Sequence, residues 1–223
     1  MIIYQIQFIM ITKTIKRRTF IAATAAAPVI LPNTIFGADR KLNIAFIGMG
    51  GQIQGHVRNT LQLGHNVTAF CDVDPNQTNN SLNRHKDKIK NVNTYMDYRK
   101  LLEKEKSLDA VVIGTPDHWH APICKAVMKA GKHVYCEKPL THTIAESREL
   151  RNLSRSSKVI TQTGNQGSAS SNLRRSIELI QSDLIGQISN VHVWHPAHGW
   201  PNGGSRPAGE DPTPKGMNWD FWC

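Results

Sequence analysis

The sequence lacks the features of a membrane-spanning or disulfide-stapled protein. Its 223 residues contain no apolar run of about 20 residues, the length that a helix needs to cross a bilayer. They contain only four cysteines, without a Cys-x-x-Cys pair or a metal-type spacing. Cys71 and Cys136 end predicted buried strands, so we interpret these thiols as small core residues. The sequence has no low-complexity tract, and its composition is that of a globular protein.

Positive charge is in excess, but its arrangement does not favour a nucleic-acid surface. The formal net charge is +10, and residues 1–38 hold four basic residues and no acid, so residues 39–223 carry 23 − 17 = +6. The basic residues are scattered over predicted helices and are not interleaved with aromatic residues. We therefore expect no nucleic-acid partner.

Three histidines near the end of the chain suggest a metal cluster at first sight. On a strand, however, His192 and His198 would face one side of the sheet and His195 the other. The sequence therefore predicts no metal site.

Residues 1–38 resemble an export signal. Arg17 and Arg18 precede an Ala-rich apolar run that ends at Leu31 and is too short to span a bilayer. This arrangement resembles a twin-arginine signal, whose substrates cross the membrane already folded. An ordinary export signal or a start codon assigned too early is the alternative, because Met1–Ile11 adds an unusual apolar leader. We expect a periplasmic protein, or a cytoplasmic one if the leader is a misassigned start.

From Lys41 onward, apolar runs alternate with helical patterns and short links. Parallel strands need crossover connections, so repeated βα units predict an α/β fold, a Rossmann-type doubly wound parallel sheet. We predict this domain over 39–166, and the incomplete beginning of a second α/β domain over 167–223. Predicted strands lie at 42–48, 66–73, 108–114, 133–137 and 158–164, and predicted helices at about 52–63, 76–89, 97–106, 121–130, 143–156 and 169–184.

The end of the chain breaks this pattern. The segment "ISNVHVWH" predicts a long strand that starts a different sheet, and the Pro- and Gly-rich stretch after it has no regular pattern. The last residues, "MNWDFWC", are expected to have nothing to pack against. We interpret this ending as a truncation.

A glycine-rich turn, "IGMGGQIQGH", follows the first predicted strand. Glycines between a buried strand and a helix allow the backbone to approach a pyrophosphate at the helix N-terminus. Gly48 and Gly50 fit the first two places of Gly-x-Gly-x-x-Gly, but Ile53 occupies the third, and Gly51 and Gly55 flank it. The turn therefore favours dinucleotide binding only weakly over a plain strand–turn–helix.

Asp72 strengthens this interpretation. It ends the second predicted strand, 24 residues after Gly48, where an acid can bind both hydroxyls of an adenine ribose. The alternative is a helix cap before Pro75, a role that Asp74 could equally fill. No arginine follows to bind a 2′-phosphate, so NAD is favoured over NADP as the cofactor.

The segment "GTPDHWHAP" follows another buried strand. Ligands of open α/β sheets bind outside the carboxyl ends of the strands, so Thr115, Pro116 and His120 lie on the expected edge. Solvated loop residues are the alternative for His118 and His120. These two histidines could not both face one ligand from a helix, because they are two positions apart.

The triplet Glu137-Lys138-Pro139 ends a further buried strand at the same edge. A lysine there can donate to a substrate oxygen and stabilise the charge that changes as a hydride moves. Glu137 could hold the lysine charged or bind the nicotinamide side, and a cis peptide bond at Pro139 would direct the lysine inward. An ordinary charged surface turn is the alternative.

Together, "GMGGQIQGH", "FCDVD", "GTPDHWHAP", "AGKHVYCEKPL" and "TGNQGS", in this order, resemble the Gfo/Idh/MocA oxidoreductase family over about residues 41–223. The Thr-Pro-x-x-x-His and Glu-Lys-Pro motifs are the specific part. The resemblance implies a Rossmann domain that binds NAD(P). It also implies a C-terminal α/β domain whose open sheet face makes the substrate pocket and oligomer contacts, so a full-length form is expected to be a homo-oligomer.

The resemblance also implies roles for individual residues. Lys138 would contact the reacting hydroxyl and is the predicted catalytic residue. The nicotinamide side would be lined by the Thr-Pro-x-x-x-His segment, and Asn165 and Gln166 would lie near the cofactor. The predicted cofactor-binding residues are Gly48, Gly50, Gly51, Ile53, Asp72, Thr115, Pro116, His118, His120, Glu137, Lys138, Asn165 and Gln166.

One departure from the family pattern limits the expected activity. Family dehydrogenases usually carry an Asp-x-x-x-His motif in the second domain, with the histidine as proton acceptor, and this sequence contains none. We expect a fragment that binds NAD better than it turns over substrate. The predicted function is an NAD(P)-dependent oxidoreductase acting on a sugar, cyclitol or sugar derivative. The alternatives are an NAD-dependent redox-assisted glycosidase, whose members tend to vary the Glu-Lys-Pro triplet, and a non-catalytic NAD-binding protein.

Overall fold

The computed structural model describes residues 40–194 and 208–223. The leader lies outside the described residues, and so do His195 and His198, so the predicted export signal and the histidine pattern stay predictions. One compact unit contains Arg40–Ala169 together with Asp211–Cys223. The described part of the other unit contains residues 170–194 and 208–210.

The larger unit is built on one parallel sheet of six strands in the order β3-β2-β1-β4-β5-β6. This is the strand order of a Rossmann fold, so the predicted doubly wound α/β fold is confirmed. The strands are β1 (Asn43–Ile47), β2 (Asn66–Cys71), β3 (Asn93–Tyr95), β4 (Ala110–Ile113), β5 (His133–Glu137) and β6 (Thr161–Gly164).

The helices of this unit connect successive strands, as parallel pairing requires. They are α1 (Ile53–Gln62), α2 (Pro75–His85), α3 (Tyr98–Lys104), α4 (Asp117–Lys129) and α5 (Ile144–Ser156). A short 3₁₀ turn, Gln166–Ala169, follows β6, and a last short helix, which we call α7, spans Trp219–Trp222. The other unit contains α6 (Ser171–Gln181).

The sheet separates two hydrophobic cores, because successive residues of a strand face opposite sides. Ile44 and Phe46 of β1 face the core that includes Val57 of α1. Ala45 and Ile47 face the other core, with residues of α4 and α5. Burial on both faces explains why β1 is a continuous apolar run in the sequence. Cys71, Cys124 and Cys136 are buried and unpaired, as predicted.

The start of α4 differs from the prediction. The helix begins at Asp117, four residues before the predicted start at Ala121, so Pro122 lies inside it instead of in its first turn. An acid in the first turn interacts favourably with the helix dipole, which supports the earlier start. His118 and His120 are therefore helical residues and not loop residues.

Two strand predictions also need correction. β3 was not predicted, because it has only three residues and none of them is buried. The long strand predicted at "ISNVHVWH" is absent over 188–194, the part of it that the structure describes. A strand needs a neighbour for its N–H and C=O groups, and the described residues provide none for this segment.

The expectation that the last residues have nothing to pack against is wrong. The backbone N–H of Asn218 donates to the carbonyl oxygen of Val73 at 2.9 Å. The indole N–H of Trp119 donates to the carbonyl oxygen of Trp222 at 3.1 Å. Both partners are more than 100 residues away in the sequence, which is why composition alone could not reveal them.

No helix among the described residues combines the length and the apolar character needed to cross a bilayer. The amphipathic helix predicted at 169–184 is present as α6, although it ends at Gln181. Leu173, Ile177 and Ile180 lie on one face of it, as the helical spacing predicted, and Leu184 lies beyond its end.

The turn after β1 makes a testable prediction about stability. Gly48 has a φ of +82°, and a Cβ atom added to it would lie 2.5 Å from the backbone nitrogen of Thr115. Gly48→Ala should therefore lower the free energy of unfolding by roughly 2 kcal/mol or more, from backbone strain and from the clash. Denaturant unfolding of the ligand-free protein measures this loss.

Gly50→Ala is the matched control for this prediction. A Cβ at Gly50 has no atom within 4 Å, and its φ lies outside the left-handed region. Its unfolding free energy should change by less than about 1 kcal/mol. Equal losses in the two variants would contradict the assignment of the close contact to Gly48.

Candidate functional site

The turns after β1 and β4 touch at the carboxyl edge of the sheet. The N–H of Gly48 donates to the carbonyl of Cys71 at 2.8 Å, which places the glycine turn beside β2. On its other side, Gly48 lies against the backbone of Gly114 and Thr115. Gly50 and Gly51 have open space where a Cβ would be, so the turn leaves room for a ligand to approach its backbone.

Ile53, at the third place of the glycine motif, is buried in the core. Its Cδ1 atom would lie 2.7 Å from a Cβ added to Gly114. The third glycine of a dinucleotide fingerprint allows close helix–strand packing. In this protein the two residues of the helix–strand contact are exchanged. The glycine is Gly114, after β4, and the large side chain is Ile53, on α1. The side chain of Ile53 therefore cannot meet a cofactor, and only its backbone is left for the predicted contact.

Asp72 follows β2 directly and fixes the glycine turn. Its carboxylate accepts hydrogen bonds from the N–H of Met49 at 2.6 Å and from the N–H of Asp74 at 2.9 Å. Burial raises the pKa of the Asp72 carboxyl above its usual value, and these N–H donors oppose the shift. Asp74 accepts from the N–H of Asn76 and caps α2, so the capping role belongs to Asp74.

Two cavities open at this edge of the sheet. The first, of about 480 Å³, contains Asp72 and the glycine turn. The second, of about 320 Å³, contains Lys138. Gly114 and Thr115 line both cavities, so the turn after β4 lies between them. Of the predicted residues, Gly48, Gly50, Asp72, Thr115 and Pro116 line the first, and Thr115, His120, Glu137, Lys138 and Gln166 line the second.

Four of the predicted cofactor residues line neither cavity. They are Gly51, Ile53, His118 and Asn165. The ring of His118 instead contacts the carbonyl oxygen of Trp222 at 2.7 Å. Asn165 is exposed and its side chain interacts only weakly with Ser168, at 3.5 Å. Their predicted roles stay predictions.

Lys138 is exposed at the end of β5, and the peptide bond before Pro139 is cis, as expected. Among the described residues its ammonium forms no ion pair, with Glu137 or any other acid. The expectation that Glu137 holds the lysine charged is therefore not met. The lysine is free to donate to a ligand in the cavity that it lines.

Glu137 is buried and has other partners. Its Oε1 atom lies 2.5 Å from Nε2 of His56 and also accepts from the side-chain amide of Gln166. The carboxyl group packs over Gly164, where an added Cβ would lie 3.0 Å from it. These contacts join α1, β5 and the segment after β6. Glu137 therefore holds together the elements around Lys138.

His56 is a site residue that sequence reasoning missed. It lies on α1, three positions after the buried Ile53, and its ring also packs on Tyr135 with centroids 4.9 Å apart. Helical spacing is the sequence signal that could have revealed His56. Position 56 lies next to the buried face of α1, which is formed by Ile53, Val57 and Thr60.

His120 connects the two turns of the second cavity. It is almost fully buried, which excludes the solvated-residue alternative. Its Nε2 atom lies 2.9 Å from the carbonyl oxygen of Thr115, and its Nδ1 atom lies 2.6 Å from that of Pro139. The imidazole therefore joins the Thr-Pro turn to the Glu-Lys-Pro turn, and its ring nitrogens are not free for a ligand.

This arrangement can be compared with known proteins. A family model, described as an oxidoreductase family with an NAD-binding Rossmann fold, matches residues 42–165, more than half of the chain. The chain belongs to the Gfo/Idh/MocA family. The turns that form both cavities lie within the matched residues.

Individual Gfo/Idh/MocA relatives carry different names. A glycosyl hydrolase family 109 protein of Shewanella pealeana is 31% identical over 132 residues, which are 56% of this chain and 28% of that protein. Inositol 2-dehydrogenase of Salmonella paratyphi B is 31% identical, over 70% of this chain and 45% of its own length. The chain therefore spans less than half of the length of either relative.

A solved structure of the family agrees with the fold. The crystal structure of myo-inositol 2-dehydrogenase from Lactobacillus plantarum is 28% identical, with a TM-score of 0.61. The match covers 67% of this chain and 43% of that one. The match therefore spans about two thirds of this chain and less than half of that one.

The residues present fit the NAD that the Gfo/Idh/MocA family binds. The hydroxyl of Thr115 is buried and has no hydrogen-bond partner among the described residues. A buried polar atom without a partner costs free energy, so a ligand group that bonds it would relieve this cost. The open space over Gly50 and the carboxylate of Asp72 would serve the pyrophosphate and the ribose of the cofactor.

Replacing Thr115 tests this fit. Thr115→Val removes the unpaired hydroxyl and keeps its shape, so the free energy of unfolding without ligand should stay level or rise by about 1 kcal/mol. NADH should bind several-fold more weakly, because its bond to the hydroxyl is lost. Denaturant unfolding and NADH fluorescence titration measure the two effects.

The control for this pair of effects is Thr78→Val. The buried hydroxyl of Thr78 donates to the carbonyl of Pro75 at 2.9 Å, so the variant should lose roughly 1 kcal/mol of stability. Its affinity for NADH should not change. Undiminished NADH affinity in Thr115→Val would contradict the proposed contact.

Proposed function

We propose that this chain carries the cofactor half of an oxidoreductase that transfers a hydride between NAD and a secondary alcohol of a sugar, cyclitol or sugar derivative. The observation that carries the proposal is the position of Lys138. Among the described residues its ammonium forms no ion pair, and Lys138 lines the same cavity as Thr115, whose backbone contacts the glycine turn that would hold the pyrophosphate.

Lys138, Glu137 and His120 line the second cavity and have different roles in this proposal. NAD, when bound, supplies the hydride acceptor. Lys138 donates a hydrogen bond to the alcohol oxygen and stabilises the negative charge that this oxygen carries once its proton has been removed and before the hydride has left the carbon. Glu137 and His120 hold the two turns on which Lys138 and Thr115 are placed.

The group that accepts the alcohol proton is not assigned to any residue of this chain. The sequence contains no Asp-x-x-x-His motif. His56 contacts Glu137, and both ring nitrogens of His120 contact carbonyl oxygens. The proposal therefore places the proton acceptor outside the unit that contains Lys138.

The name of the Salmonella relative supports a polyol as the substrate class.

Lys138→Ala tests the catalytic role. In a full-length version of the protein, turnover of inositols or free sugars, measured as NADH formation, should fall by on the order of 100-fold, because the charge on the oxygen is no longer stabilised. The NADH dissociation constant should stay the same, since the lysine serves the substrate oxygen.

Lys138→Arg and Lys158→Ala are the controls. The first keeps the positive charge at the site and should retain part of the activity, whereas the second removes an exposed lysine of the loop before β6 and should change nothing. Unchanged turnover in Lys138→Ala, with an intact fold, would exclude the proposed role.

A redox-assisted glycosidase is the second candidate, and the name of the Shewanella relative favours it. In this reaction the sugar is oxidised only transiently, so the net redox state of NAD does not change. Incubation of a full-length version with aryl glycosides, and with free sugars plus NAD, separates the two candidates. Release of the aryl group without accumulation of NADH supports the glycosidase, and NADH formation from free sugars supports the dehydrogenase.

We also propose that residues 1–38 direct export through the twin-arginine pathway. Replacing both Arg17 and Arg18 with Lys should keep the protein in the cytoplasm, because the paired arginines are the recognised feature. Cell fractionation of the wild-type and doubly substituted chains measures this. Equal periplasmic amounts of both would contradict the twin-arginine route.

A further inference from the structure

The C-terminal residues 217–222, which we call the aromatic segment, form part of the wall of the first cavity. Met217, Phe221 and Trp222 line it, together with Asp72 and residues of α3 and α4. The family match ends at residue 165, so the aromatic segment lies outside it. None of the roles proposed above involves this segment.

Hydrogen bonds hold the aromatic segment on both sides of the cavity. On one side, the N–H of Asn218 donates to the carbonyl of Val73, the residue after Asp72, at 2.9 Å. On the other side, the carbonyl oxygen of Trp222 lies 2.7 Å from Nε2 of His118 and accepts from the indole N–H of Trp119 at 3.1 Å. The segment therefore bridges the turn after β2 and the first turn of α4.

The segment is also ordered within itself. Asn218 caps α7 by accepting from the N–H of Phe221 at 3.1 Å. The rings of Trp219 and Trp222 stack at 5.1 Å with an angle of 11° between their planes. These contacts fix which side chains face the cavity, since Phe221 and Trp222 line it and Trp219 does not.

The cavity wall has the chemistry of a site for a flat, neutral heterocycle. Tyr98, Trp119, Phe221 and Trp222 supply aromatic faces, and Met96 and Met217 supply thioethers. The guanidinium of Arg99 lies 4.6 Å from the centre of the Tyr98 ring and 6.0 Å from that of Phe221. A planar base can stack between aromatic faces and a guanidinium.

The charges near this wall argue against a second phosphate as the ligand. Asp72, Asp74 and Asp97 line the same cavity, and Asp97 pairs with Arg99 at 3.2 Å. A 2′-phosphate would meet these carboxylates, whereas a ribose would find an acceptor in Asp72. A ribose at Asp72 with an uncharged base beside it is the ligand fragment that matches the wall.

We propose that the aromatic segment closes the adenosine end of the cofactor site, so that Phe221 and Trp222 bind the adenine base. This rests on the placement of the cofactor proposed above. It makes residues 217–222 part of the nucleotide site, although they follow the Rossmann strands by more than 50 residues. With the segment in place the cavity keeps a volume of about 480 Å³, so the segment forms part of its wall without filling it.

The test measures the affinity for ADP-ribose and NADH by calorimetry. ADP-ribose contains the adenosine end and lacks the nicotinamide, so its affinity reports on the adenosine end without any contact to the nicotinamide ring. Phe221→Ala and Trp222→Ala should each weaken both ligands by about ten-fold, the size expected for the loss of one stacking contact. Trp194→Ala, which removes a highly exposed tryptophan of the other unit, is the matched control and should bind as the wild type does.

A second variant, Arg99→Gln, distinguishes a loss of binding from a loss of folding. Arg99 is more than half exposed, so Arg99→Gln should leave the unfolding midpoint unchanged. It should still weaken ADP-ribose several-fold, because the guanidinium no longer stacks on the base. Unfolding midpoints of all variants, measured without ligand, separate lost binding from lost structure.

The outcomes distinguish this inference from the proposed function. If the wild-type chain binds neither ADP-ribose nor NADH, the cofactor site itself is wrong, and the inference falls with it. If the wild type binds both ligands and the Phe221, Trp222 and Arg99 variants bind them equally well, only the role of the aromatic segment is overturned.

Discussion

The contact between two backbone turns, at Gly48 and at Gly114–Thr115, is the constraint on which the rest of the site depends. It brings the ends of β1 and β4 so close that no side chain fits between them. The cavity with Asp72 and the cavity with Lys138 therefore share one thin wall, made of residues 114 and 115. In the proposed placement a dinucleotide would reach from one cavity to the other across this wall, and the paired turns leave the backbone accessible for that crossing.

The two sides of the wall are held by different kinds of interaction. On the adenosine side, the carboxylate of Asp72 accepts backbone N–H groups and thereby sets the shape of the glycine turn. On the lysine side, side chains bridge the elements: Glu137 meets His56 and Gln166, and His120 spans two carbonyl groups. Lys138 belongs to neither network, which fits a residue that has to respond to a substrate. Glu137 and His120 are buried, and the predicted catalytic residue is exposed.

The sequence predicted the sheet well, because β1, β2, β4 and β5 are apolar runs bounded by glycines or charged residues. Most of the predicted residues that line the two cavities follow the end of a strand, as Asp72, Thr115 and Lys138 do. His56 and the aromatic segment were missed, since their partners are far away along the chain and neither belongs to a strand end. The imperfect glycine motif has a different cause, which is local helix packing and not a distant partner. Ile53 replaces a glycine whose purpose is served by Gly114, and only the packing of α1 against β4 shows this exchange.

The unit that contains both cavities is discontinuous in sequence, since Asp211–Cys223 joins Arg40–Ala169 across an intervening stretch. During synthesis, the sheet and the glycine turn leave the ribosome well before the residues that complete the first cavity. The contacts of Trp222 with His118 and Trp119 close loops of 104 and 103 residues, and such distant pairings form slowly. The nascent chain therefore passes through a stage in which the pyrophosphate turn exists and the adenosine wall does not. On the proposed adenine contact, tight cofactor retention would require the residues up to 222, which would make loading a late step of biosynthesis.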